Sequence, residues 1–71
     1  MTPAERLQRL EVQADEVLNE TFSAEEQLNI RQRSMDKVTG AQLLVIEVPY
    51  GMEYRILNLD GSSYYAVVEP E

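Results

Sequence analysis

The chain has 71 residues, no cysteine and no histidine, and thirteen acidic against six basic residues for a net charge of −7. A length like this is expected to form one small domain, 1–71, and a single core of this size rarely supplies more than roughly 3–5 kcal/mol, so self-association or a partner usually helps. The missing residue types exclude disulfides, thiolate zinc sites, thiol nucleophiles and histidine acid–base chemistry, and the charge opposes direct binding to nucleic acid or to an anionic membrane.

Thr2-Pro3-Ala4-Glu5 is a helix start: Thr2 caps, Pro3 suits the first helical position and Glu5 completes a capping box. The same residues lack the basic and apolar regions of a targeting signal, so a cytoplasmic location is expected. Leu7, Leu10, Ala14 and Val17 then recur at spacings of three and four, with Leu18 beside them, and predict an amphipathic helix over about 3–20. Ser23 with Glu26 reads as a second capping box preceded by Phe22 as a staple residue. A second helix is predicted over about 24–39, carrying Ala24, Leu28, Met35 and Val38 on one face and ended by Gly40. Arg31 falls inside that stripe, where it is expected to snorkel from the edge, a pair with Glu11 or Asp15 being the alternative, and Ile30 faces away from the stripe. The unbroken 3–4 spacing from residue 7 to 38 also fits one continuous coiled-coil helix. That seam would bury Thr21 and Arg31 and leave out Phe22, so the helical hairpin is the better reading.

Leu43 to Val48 is the most apolar stretch, five of six residues being large and apolar. It predicts a strand over 42–48 with Leu43 and Val45 on one face and Leu44, Ile46 and Val48 on the other. Pro49 to Met52 reads as a turn, Pro49 fixing the first bend and Gly51 accepting a positive φ. A second strand is predicted over 53–59, with Tyr54 and Ile56 opposite Arg55, Leu57 and Leu59. Asp60-Gly61 signals a hairpin. The third strand, 63–68, sets Tyr65 and Val67 against Tyr64, Ala66 and Val68, and 69–71 is an acidic tail. The predicted fold is therefore α+β: a helical hairpin packed on a three-stranded antiparallel meander, in the order ααβββ.

Two helices can cover one sheet face, yet the first strand is apolar on both. An antiparallel sheet with one wet face alternates cleanly, so the second apolar face points to an interface. The alternative, one helix on each face, needs no partner. The candidate sheet interface comprises Leu43, Leu44, Val45, Ile46, Tyr54 and Tyr65. Glu47 interrupts the apolar run and is expected to reach water or a salt bridge, with Arg55 on the next strand as its cross-strand partner. The carboxylates Glu11, Asp15, Glu16, Glu20, Glu25 and Glu26 form a block without any base among residues 11–26.

These features lead to a non-enzymatic protein-binding module, a regulatory or accessory subunit that self-associates through its sheet. A protein partner or homodimer is expected, with no cofactor, metal or small-molecule substrate. The second functional reading is an acidic inhibitor that imitates phosphates and blocks a nucleic-acid site on a basic protein.

Overall fold

The computed structural model describes residues 1–70, so the last residue of the acidic tail, Glu71, lies outside the described residues. The fold is α+β, one long N-terminal helix followed by a four-stranded antiparallel sheet. Helix α1 spans Pro3–Thr21 and starts as the capping residues require: Thr2 accepts the Glu5 N–H at 3.2 Å, and its hydroxyl donates to the Glu5 carboxylate. Ala14, Val17 and Leu18 are its buried stripe.

The second predicted helix is a correction. Its capping box forms, with reciprocal bonds between Ser23 and Glu26, but the helix α2 is a single turn, Ala24–Gln27. The Gln27 amide folds back onto the Asn19 side chain and the Phe22 carbonyl. The chain then leaves as strand β1, Ile30–Met35, which neither the hairpin reading nor the continuous coiled coil anticipates. Asn29 and β-branched Ile30 are weak helix formers, and pairing with the next strand satisfies the backbone of both.

Strands β2 (Gln42–Val48), β3 (Gly51–Leu57) and β4 (Ser63–Val68) complete the meander in the order β1-β2-β3-β4. The first and last match their predicted bounds; β3 lies two residues earlier than expected because Val48 pairs directly with Gly51 across a Pro49-Tyr50 turn. Gly51 takes φ +148, and a Cβ there would sit 2.0 Å from the Val68 carbonyl oxygen. Gly40 does not end a helix. It lies at φ +79 in the β1–β2 connection, where Asp36 accepts the Val38 and Thr39 N–H groups in an Asx-type turn.

Register decides which residues meet the helix. Leu44, Ile46 and Leu57 join Val17, Leu18 and Phe22 in one buried cluster, with Ile30 and Val48 packed against it. Ile30 thus faces the core rather than away from it. It pairs with Ile46, while Arg33 pairs with Leu44, and a bulge between residues 30 and 32 lets both point to the helix side. Helix α1 covers the Leu44 and Ile46 side of the sheet. Among the described residues no helix or strand lies over the Leu43 and Val45 side.

Candidate functional site

Since α1 is the only long helix among the described residues, one face of the sheet is left open. Strand alternation and register place Leu43, Val45 and Glu47 of β2 on it, beside Met52, Tyr54 and Ile56 of β3 and Tyr64, Ala66 and Val68 of β4. Tyr64 and Val68 are more than half exposed, and Tyr54 and Ile56 are exposed, while Leu43, Val45 and Met52 are half-buried by their neighbours alone. Gln32 and Ser34 on β1 supply a polar margin. Glu47, the one charge on the β2–β4 part of this face, binds Arg31 at 2.6 Å, and Arg31 also donates to the Leu28 carbonyl. Both side chains are about half exposed, so the pair contributes well under about 1 kcal/mol. It orients Glu47 toward the face's edge.

This arrangement sorts the expected interface residues. Leu43, Val45 and Tyr54 lie on the open face. Leu44 and Ile46 are buried beneath the helix, and as core residues they are removed from any surface. Tyr65 is exposed on the helix side of β4, beyond the reach of α1. The expected Glu47–Arg55 pair is also corrected. Arg55 shares the helix side with Leu57, forms a 3.3 Å ion pair with Glu53 and stacks between Phe22 (5.0 Å) and Tyr65 (5.3 Å). Its Nε is buried without a hydrogen-bond partner among the described residues, which the two aromatic faces offset only in part.

The polar residue that sequence reasoning passed over is Gln42. It is fully buried, donates to the Ala14 carbonyl at 2.9 Å and accepts from Arg33 Nε at 2.7 Å. Arg33 in turn holds Asp15. This chain of bonds ties the middle of α1 to β1 and β2, and it pairs Asp15 with Arg33 rather than with Arg31. Gln42 stands at the head of the apolar run in phase with Leu44 and Ile46, which is the one sequence signal that it faces inward.

The acidic block is divided by the helix. Glu11 and Asp15 lie on the β1 flank near Arg33 and Lys37, where a shallow groove also takes in Leu7 and Met35. Glu16 and Glu20 lie toward the β3–β4 turn beside Asp60. Glu25 and Glu26 are in the α2 turn. The six carboxylates are thus distributed over the two flanks of α1 and the α2 turn.

Chemistry at the carboxylates is set by local hydrogen bonds. The Ser23 N–H and hydroxyl, with Arg55 at longer range, hold Glu26 below the usual carboxylate range. The Val38 and Thr39 N–H groups do the same for Asp36, and the Ser62 hydroxyl and N–H for Asp60. These shifts run opposite to the upward shift that a carboxylic acid catalyst needs at neutral pH. The Asp60 loop closes on itself, Asn58 reaching the Ser62 hydroxyl at 3.1 Å. Among the described residues no three potential metal ligands converge, and no helix is long and apolar enough to cross a membrane. A widely open concavity of about 710 Å³ is lined by Val48, Pro49, Met52, Tyr54 and Val68 among others, and so continues the open face around the end of the sheet. In comparisons with protein-family models, curated proteins and solved structures, the chain matches none.

Proposed function

We propose that the chain is a non-enzymatic protein-binding module, a regulatory or accessory subunit, that self-associates through the open face of its sheet. The observation that carries this reading is the uncovered apolar surface from Leu43 and Val45 across Tyr54 and Ile56 to Tyr64 and Val68. From the fractional exposures, and about 200 Å² for a fully exposed aromatic side chain, that surface amounts to roughly 500 Å². It is near the upper end for the largest apolar patch of a monomer. Two copies packed face to face would bury about 1,000 Å² together, the lower bound for a specific interface. Tyrosines suit such a surface, since they add apolar area and keep a polar tip at the margin.

The two faces of β2 allow a direct test. Val45→Asp places a carboxylate on the open face, where it is expected to leave the fold intact by circular dichroism and to lower the oligomeric state in sedimentation. Ile46→Asp puts the same group into the core among Leu44, Leu57 and Val17. Burying an unpaired carboxylate costs several kcal/mol, comparable to the whole stability of so small a fold, so that variant is expected to unfold. A wild-type chain that sediments as a monomer at 100 µM would refute the reading.

A further inference from the structure

The two edges of the sheet differ. Strand β1 carries Arg31 and Arg33 and is bent by the bulge between Ile30 and Gln32. These are the devices by which natural sheets block edge-to-edge pairing. Strand β4 has none of them: Ser63–Val68 contains no charge and no proline, and every one of its residues is exposed. Its gatekeepers, Glu69 and Pro70, stand after the strand rather than within it. Packing on the open face would cover Tyr64, Ala66 and Val68, but not Tyr65 and Val67, which are 66% and 46% exposed on the helix side where α1 does not reach.

We propose that β4 is a second self-association surface, pairing antiparallel with β4 of another copy across a two-fold axis perpendicular to the sheet. The occupant is a second copy because the strand is neutral and so spares two chains of net charge −7 a like-charge contact at the seam. The geometry also closes: with β1 blocked, growth stops at eight strands instead of running on as a fibre. The two-fold keeps both helices on one side. Tyr65 and Val67 of each copy then meet their counterparts between the helices, while the two open faces join into one.

The inference rests on the open-face reading and completes it. Face packing of two single chains reaches only about 1,000 Å²; two edge-joined sheets each present an open face of about 1,000 Å² and bury about 2,000 Å² together, within the usual range of roughly 1,200–2,000 Å². Two eight-stranded sheets packed face to face give a tetramer with two kinds of isologous interface.

Light scattering and sedimentation of the full chain test this, with circular dichroism as the folding control. The wild-type chain is expected to be a tetramer and Val45→Asp an edge-paired dimer. Val67→Lys, whose side chain lies opposite Glu53 within its own sheet, is expected to be a face-paired dimer, and the double variant a monomer. The chain has no native cysteine, so a single Tyr65→Cys change in the Val45→Asp background should be joined in high yield by a short bismaleimide, and lose that cross-link when Val67→Lys is added. If Val45→Asp is monomeric and Val67→Lys leaves the wild-type assembly unchanged, β4 pairing is wrong while the open-face reading stands. A monomeric wild-type chain overturns both, and an open-ended assembly overturns the closure at eight strands.

Discussion

Gln42 provides the sharpest test of how the helix is held on the sheet. Its side chain is fully buried, with its amide on the Ala14 carbonyl and its oxygen on Arg33 Nε. Gln42→Leu keeps the volume and removes both bonds. A hydrogen bond from a charged donor contributes about 1.5–3 kcal/mol and a neutral one about 0.5–1.5 kcal/mol. The leucine recovers part of this by apolar transfer, leaving an expected net loss of about 1–2 kcal/mol. Arg33→Met alone strands the buried Gln42 oxygen without its donor, at about 1–3 kcal/mol, and also loses the exposed Asp15 pair. In the double variant both unpaired groups are gone, so it should be less destabilised than the two single losses together, with a coupling of about 1–2 kcal/mol. Urea unfolding followed by far-ultraviolet circular dichroism measures this, at one fixed protomer concentration because association raises apparent stability. A coupling below about 0.3 kcal/mol, or a Gln42→Leu variant more stable than its parent, would refute the argument that this network fastens α1 to β1 and β2.

Two further outcomes are expected. Gly51→Ala forces a Cβ toward the Val68 carbonyl at a positive φ, so it should lose about 1–3 kcal/mol and preferentially expose β4 amides to hydrogen exchange, whereas Gly61→Ala, with open space around it, should leave β4 protection unchanged. Glu26, Asp36 and Asp60 all titrate below their ordinary values in the fold. Their contribution is therefore complete above the unfolded values of about 4 and declines as pH falls through the lower folded values; urea midpoints should hold from pH 7 to about 5 and drop toward pH 2, with a shallower drop in Asp36→Asn.

Some elements were legible because their signals are local. Thr2, Pro3 and Glu5 start α1, and the Leu10–Ala14–Val17 spacing carries it. Strand alternation placed Leu43 and Val45 opposite Leu44 and Ile46, and Asp60-Gly61 placed the last hairpin. Strand β1 was not legible. Its Arg, Gln and Met suit a helix, and the bulge after Ile30 breaks the alternation that would have revealed a strand. Asp36 was the missed clue: with Gly40 four residues later it marks a loop between strands as readily as a helix end.

Local signals sufficed for the helix start, for the bounds of β2 and β4, for the Asp60-Gly61 turn and, within two residues, for β3. These depend on capping, periodicity and turn chemistry within a few residues. Long-range packing settles the rest: residues 30–35 pair with β2, Arg33 and Gln42 join α1 to the sheet, Glu47 answers Arg31, and the Leu43 and Val45 face stays open. Those outcomes depend on groups 9 to 28 residues apart. The helix preference of Arg, Gln and Met in the β1 segment amounts to only about a few tenths of a kcal/mol per residue, so the backbone hydrogen bonds that β2 needs on its free edge outweigh it.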